Sequence, residues 1–246
     1  MRTAVIIPSR IGSERLLRKA LRLIDGVTLT ERVWRQVSKA SGIDGVYVAT
    51  DSDEIFAHVE QFGGKAIMTD AACKNGTERV AQAVERLGER YDVVINVQGD
   101  EPLIAPDVIE AVQQAFNDSA VNIATPISPM REVSDLSNPT VVKCAVAEGG
   151  NILYFSRSPI PHVRDEANAV RDGLHWKHIG VYGFRSDLLP KLTALSPTPL
   201  EDVEKLEQLR WLEHGFSIRG VRVNYDSVAV DVEADIATVE GILAKR

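Results

Sequence analysis

Short apolar runs alternate with amphipathic stretches through the first half of the chain. Residues 3–7 and the run Val93, Val94, Ile95 and Val97 are β-branched and apolar, the pattern of strands covered on both faces. Thr28-Leu29-Thr30-Glu31 has capping-box spacing and opens a helix with the stripe Leu29, Val33, Val37 and Ala40, which Gly42 is placed to end. Residues 45–49 read as the second strand. Ser52 caps a helix striped by Ile55, Val59 and Phe62, stopped by Gly63-Gly64, and residues 66–68 follow as a short strand. Asn75-Gly76 predicts a turn with positive φ, with Thr77 as N-cap of a helix carrying Val80, Val84 and Leu87. Pro106 suits the first position of a helix striped by Val108, Ile109, Val112 and Phe116. This β-α-β-α-β order requires a parallel sheet with right-handed crossovers.

From Asn122 the rhythm changes. Strand-like pieces at 123–127, 141–146, 152–155 and 179–184 follow without a full helix between each pair, punctuated by Pro126, Pro129, Pro139, Pro159 and Pro161. They predict an antiparallel or mixed insertion beside the main sheet. Thr198-Pro199-Leu200-Glu201 starts a long helix with Glu201 as its cap, and Val203, Leu206, Leu209 and Leu212 stripe it as far as Gly215. Residues 218–223 and 228–232 read as late strands, and 234–244 as a closing helix.

Bulk properties narrow the classes. At 246 residues the chain is long enough for one large α/β domain, and its 44% hydrophobic and 26% charged content is that of a globular protein. A net charge of −7 argues against nucleic acid or an anionic membrane as partner. No apolar run approaches the roughly 20 residues of a membrane span. The start of the chain reads as a first strand rather than a signal peptide. Cys73 and Cys144 lie far apart, as expected of reduced thiols in cytoplasm.

Candidate chemistry gathers at strand ends. The 93–97 run stops at Gln98-Gly99-Asp100-Glu101-Pro102, where the glycine allows a tight turn and the proline ends the ladder. A buried strand thus delivers an amide and two carboxylates to its C-terminal end, where open α/β sheets bind ligands. The first strand runs into residues 8–22, which hold five basic side chains (Arg10, Arg15, Arg18, Lys19, Arg22) in an otherwise acidic protein. Guanidinium forks, one lysine and backbone N–H groups at a strand end suit a polyphosphate. Neither a P-loop nor a G-x-G-x-x-G motif is present, which disfavours a hydrolytic NTPase or a dehydrogenase. His175 and His178 have H-x-x-H spacing without an evident third ligand and read as hydrogen-bonded histidines.

In order, the pieces Ile-Ile-Pro-Ser-Arg10 to Lys19, Val-Ala-Thr-Asp51, Asn-Gly-Thr-Glu-Arg79, Asn-Val-Gln-Gly-Asp-Glu-Pro102, Tyr-Phe-Ser-Arg-Ser-Pro-Ile-Pro161, His-Ile-Gly-Val-Tyr-Gly183, Leu-Glu-Gln-Leu-Arg210 and Val-Asp231 together resemble the 3-deoxy-manno-octulosonate (Kdo) cytidylyltransferases, the CMP-Kdo synthetases of lipopolysaccharide synthesis. The resemblance spans nearly the whole chain. It implies a Rossmann-like nucleotidyltransferase fold: a mostly parallel central sheet, helices on both faces and a small mixed dimerisation lobe. Residues 1–127 and 215–246 would bind nucleotide, and about 128–214 would form the sugar-binding and dimerisation lobe of a cytoplasmic homodimer. The implied reaction is CTP plus Kdo giving CMP-Kdo and pyrophosphate, with Mg²⁺. By the same resemblance Arg10, Ser13, Arg15 and Lys19 hold the triphosphate, while Asn75, Thr77 and Arg79 shape the cytidine pocket. Asp100 and Asp231 bind the metal and, with Lys19, carry the catalysis. Gln98 touches both substrates, and Arg157, His178, Tyr182, Glu207 and Gln208 line the sugar site, Arg157 facing the Kdo carboxylate. A related 2-keto sugar acid (sialic-type or 8-amino-Kdo) is the neighbouring alternative, and a silent nucleotide-binding protein of the same fold the more distant one. Two departures stand out. The family's Arg-Leu-Pro-Gly-Lys-Pro loop here has Leu17, Arg18 and Ala20 for the proline, glycine and second proline, which predicts a less pre-set loop. Val232 replaces the family's threonine after Asp231.

Overall fold

The first apolar run forms β1 (Thr3–Ser9), and its alternate residues separate two cores. Val5 and Ile7 pack with one set of helices, Ala4 and Ile6 with another. A computed structural model describes residues 1–13, 16–165 and 169–245. After β1 come the hairpin β2 (Leu23–Ile24) and β3 (Val27–Thr28), then α1 (Leu29–Val37), β4 (Gly45–Thr50), α2 (Asp53–Gln61), β5 (Lys65–Met68), α3 (Gly76–Arg86), β6 (Val93–Val97) and α4 (Pro106–Ala115). The second half holds β7 (Ile123–Pro129), α5 (Val133–Ser137), β8 (Lys143–Val146), β9 (Ile152–Ser156), β10 (Trp176–His178), β11 (Val181–Arg185), α6 (Leu189–Thr193), α7 (Pro199–Glu204), α8 (Gln208–Glu213), β12 (Ile218–Arg222) and α9 (Glu233–Leu243).

Among the described residues ten strands form one sheet in the order β5-β4-β1-β6-β11-β7-β10-β8-β9, with β12 also on β7. The β5, β4, β1 and β6 ladders are parallel, β12 is parallel to β7, and β11 runs antiparallel between β6 and β7. One face carries α1, α2, α4 and α9 through Val33, Ile55, Val108 and Val239; the other carries α3, α6 and α8 through Val80, Leu192 and Trp211. The expected α/β fold with helices on both faces is the one observed. The mixed insertion is also as expected, but its strands β10, β8 and β9 continue the main sheet.

Several local expectations need correction. Helix α1 stops at Val37, before Ala40 and Gly42. Asn75, not Thr77, caps α3: its side chain accepts from Glu78 N at 2.8 Å, and Gly76 already lies inside the helix. The long helix expected from Thr198 is two short ones, α7 and α8, broken at Lys205, whose backbone is left-handed (φ 53°). Residues 228–232 form no strand. There the Val230 N–H bonds the Asp100 carbonyl at 2.9 Å instead of joining a ladder. The strand expected over 179–184 begins only at Val181, and β10 was not anticipated.

Candidate active site

Parallel pairing of β1 with β6 brings two chain ends to the same edge of the sheet: the basic loop after Ser9 and the Gln98–Glu101 turn. The two backbones come so close that a Cβ on Gly99 would stand 2.7 Å from the Pro8 carbonyl oxygen. That glycine is required by close approach rather than by turn geometry. Between them opens a cleft of about 500 Å³, lined among others by Arg10, Ser13, Lys19, Asn75, Arg79, Gln98 and Asp100. Arg15 lies outside the described residues.

Lys19 sits at the centre of the cleft's charge. It opens a single 3-10 turn (Lys19–Leu21) pinned to α1, where Thr30 Oγ1 donates to the Ala20 carbonyl at 2.9 Å and lies 3.2 Å from Ser9 Oγ. The Lys19 ammonium donates to Asp100 Oδ2 at 2.8 Å and to Asp231 Oδ1 at 2.9 Å. Burial by itself lowers the lysine's pKa, but attraction and hydrogen bonding to the two carboxylates outweigh it, and the net shift is upward. Asp100 and Asp231, 131 positions apart, therefore face one cation.

Asp51, at the end of β4, ties the walls together. Its Oδ2 accepts from the Arg79 guanidinium at 2.8 Å, and its Oδ1 from Ile11 N at 3.4 Å. Arg79 is 3% exposed and also donates to Thr69 Oγ1 at 2.5 Å. Replacing Asp51 by Ala leaves a buried guanidinium without its counter-ion, and the expected loss in chemical denaturation is about 3–5 kcal/mol. A loss below about 1 kcal/mol would show the pair to be solvent-screened.

The cytidylyltransferase family model matches residues 4–219, a span from β1 into β12 that includes the cleft's basic loop, α3 and the Asp100 turn. The chain belongs to the cytidylyltransferase family. It is a nucleotidyltransferase enzyme. It is 47% identical to a 3-deoxy-manno-octulosonate cytidylyltransferase of Myxococcus xanthus, covering 100% of this chain and 98% of the relative. It is 41% identical to the protein of that name from Desulfosudis oleivorans, over 99% and 98% of the two chains. A solved CMP:2-keto-3-deoxy-manno-octonic acid synthetase complexed with CTP superposes with a TM-score of 0.92 at 34% identity, covering 100% of this chain and 99% of that one.

In this cytidylyltransferase the residues expected on the sugar side fall into four places. Gln98 lines the cleft, and Gly180, in the break between β10 and β11, faces its Cγ. His178 and Tyr182 flank that break with ring centroids 5.2 Å apart. His178 is bonded to Thr125 Oγ1 at 3.0 Å, and burial drives its pKa down to about 3, so it is a neutral imidazole. Burial, aided by the Glu207 charge, raises the Tyr182 phenol well above its ordinary value. His175 has separate partners, the Arg171 N–H and the Pro161 carbonyl. Arg157 stands apart from the cleft lining: its guanidinium donates to the carbonyls of Pro139, Glu204 and Lys205.

Glu207 occupies the turn created by the break at Lys205, and Gln208 beside it is buried. The Glu207 carboxylate accepts from Asn75 Nδ2 at 2.9 Å and Thr77 Oγ1 at 2.8 Å. So Thr77, expected in the cytidine pocket, and Asn75, which lines the cleft, both reach Glu207. Burial raises the Glu207 pKa to about 7, against the Thr77 hydrogen bond and the Arg210 charge, which lower it. A carboxyl group that holds its proton more tightly when folded loses stability as pH rises from its unfolded value, near 4.5, through about 7. Relative to E207Q, the wild type should lose on the order of 2 kcal/mol across that window, read from urea midpoints at several pH values. Parallel profiles for the two proteins would remove Glu207 as the titrating group. One cleft residue escaped sequence reasoning: Lys74, beside the Asn75 cap, adds a cation to the wall. Glu101, which the sequence places with Asp100 at the strand end, is buried beside the cleft instead of lining it.

Proposed function

We propose that this cytidylyltransferase activates Kdo with CTP, giving CMP-Kdo and pyrophosphate for lipopolysaccharide synthesis, with Mg²⁺ and as a cytoplasmic homodimer. The observation that carries this reading is the convergence of Asp100 and Asp231 on one cation, the Lys19 ammonium, inside a cleft walled by Arg10, Ser13 and Arg79. Two carboxylates aimed at one cationic point are the hard-oxygen donor set that Mg²⁺ accepts beside water and phosphate. Held there, the ion would supply Lewis-acid neutralisation at the α-phosphate. A hydroxyl oxygen of the sugar forms the new bond to the α-phosphorus, the bond from that phosphorus to the bridging oxygen breaks, and the hydroxyl proton passes to solvent. Pyrophosphate leaves with its charge met by Arg10, Lys19 and Lys74, so the protein contributes positioning and preorganised charge.

On the sugar side Gln98, His178, Tyr182, Glu207 and Gln208 form the wall, with His178 available as a neutral hydrogen-bonding ring. Arg157 takes the sugar carboxylate by exchanging its bonds to the exposed Pro139 and Lys205 carbonyls for a bidentate pair. The names of the two relatives and of the CTP-bound neighbour support the substrate pair. For the homodimer, the support is β9, which ends the sheet and carries Leu153, 65% exposed, on an edge a second copy would cover. No helix among the described residues is long and apolar enough to cross a membrane. The test is pyrophosphate release from CTP with Mg²⁺ and Kdo, with UTP and ATP as controls. No release with Kdo overturns the reading, and faster release with a sialic-type acid or 8-amino-Kdo reassigns the sugar.

A further inference from the structure

Asp231 is delivered by a segment with no helix or strand of its own. Residues 223–231 leave β12, cross the mouth of the sheet and enter α9. The ends of this strap are fixed by backbone: Val223 N donates to the Ile127 carbonyl at 2.9 Å, Val230 N to the Asp100 carbonyl at 2.9 Å, and Asp231 N to Asp235 Oδ2 at 2.7 Å. Its middle is held at Asn224 by the Arg131 guanidinium (2.7 Å), at Asp226 by the Lys177 ammonium, and at the two hydroxyls between and beside them by one carboxylate from the neighbouring turn. Glu101, 4% exposed, accepts from the Tyr225 hydroxyl at 3.3 Å through Oε2 and from the Ser227 hydroxyl through Oε1. Both carboxylate oxygens are thus engaged with the strap, and Glu101 is absent from the cleft lining that includes its neighbour Asp100. Consecutive residues of one turn therefore point opposite ways, Asp100 into the cleft and Glu101 back onto the chain that brings in the second acid.

We propose that Glu101 is a positioning residue whose buried carboxylate, by holding Tyr225 and Ser227, sets where Asp231 stands relative to Asp100. This rests on the reading of Asp100 and Asp231 as the pair that receives the cation of the reaction. Removing Glu101 leaves two strap hydroxyls without their buried acceptor and loosens the strap on the Asp231 side of the Lys177–Asp226 pair, the stretch from Ser227 to Val230. Asp231 then keeps its backbone anchor to Asp235 but loses the fixed spacing to Asp100 on which shared binding depends.

The test compares E101A, E101Q and the double variant Y225F/S227A with the wild type, using pyrophosphate release, Mn²⁺ titration by electron paramagnetic resonance in the presence of CTP, and amide exchange over 223–231. E101A is expected to weaken Mn²⁺ binding and lower kcat by about 10–100-fold, with the KM for CTP changed less than threefold and faster exchange in the strap. E101Q restores most of this, because both hydroxyls can accept from the amide as well as donate to it. Y225F/S227A reproduces the E101A pattern without touching the Gln98–Pro102 turn, and so decides the matter if E101A does not fold. If folded E101A, or the double variant, binds Mn²⁺ and turns over like the active wild type, Glu101 has no positioning role. A wild type that releases no pyrophosphate at all instead sinks the reading of the reaction.

Discussion

Asp100→Asn is expected to lower the rate of pyrophosphate release by on the order of 10³-fold, because several kcal/mol of charge stabilisation at the α-phosphate depend on the pair it belongs to. The substitution conserves size and leaves the backbone bond from Val230 N to the residue 100 carbonyl in place, so the fold is retained. In the proposed reading CTP would keep its contacts to Arg10, Ser13 and the α3 end of the cleft, and its dissociation constant, measured by calorimetry, should move by less than about fivefold. The diagnostic pattern is therefore a collapse in turnover at preserved nucleotide affinity. Turnover within threefold of wild type, with CTP bound normally, would remove Asp100 from the chemistry.

Lys19→Met has a large effect of a different kind. The ammonium bonds both carboxylates at 2.8 and 2.9 Å and so stands where a shared cation is received. Charge-assisted bonds of this type are worth about 1.5–3 kcal/mol each, which any entering cation must replace. Without the ammonium the two acids face each other as like charges and favour a cation strongly. Mn²⁺ should then bind K19M more tightly than wild type, by about tenfold or more in the absence of nucleotide. CTP affinity and turnover should fall in the same variant, since in the proposed reaction the lysine would also meet phosphate charge. If Mn²⁺ binds K19M no better than wild type in a nucleotide-free titration, the lysine does not guard the pair. The opposite signs of the two effects separate this role from simple damage to the site.

Strands buried on both faces were plain in the sequence, because the apolar positions of β1 and β6 are mostly Val and Ile and each strand stops at a motif. The basic loop and the Gln98–Pro102 turn could be read as a site for the same reason: chemistry-bearing residues sit where the apolar pattern ends. What stayed hidden depends on long-range contacts. Val203, Leu206, Leu209 and Leu212 keep helical spacing straight through Lys205, and only the structure reveals the left-handed break, with Val203 81% exposed. That break aims Glu207 at Asn75 and Thr77, 132 and 130 positions away, contacts with no local signature. Residues 228–232 (Val-Ala-Val-Asp-Val) are valine-rich like a strand, yet Val230 spends its N–H on a loop carbonyl. The altered phosphate loop falls between these cases. Arg18 adopts φ 55° and ψ 35°, a left-handed conformation that a glycine reaches without steric cost, and its exposed guanidinium pairs with Glu54 on α2.

Strand β7 is hydrogen-bonded to β11 and β10 and also to β12, so the inserted strands and the parallel half of the sheet belong to one continuous ladder. A hinge swing of one half against the other would tear that ladder open, which makes rigid-body clamping an uneconomical way to enclose a substrate. Whatever tightening accompanies binding belongs instead to the ladder-free segments over the cleft, residues 10–13, the Lys19 turn and the strap that ends at Asp231. The sheet is in that sense a stiff platform, and any adjustment to a ligand falls to its rims.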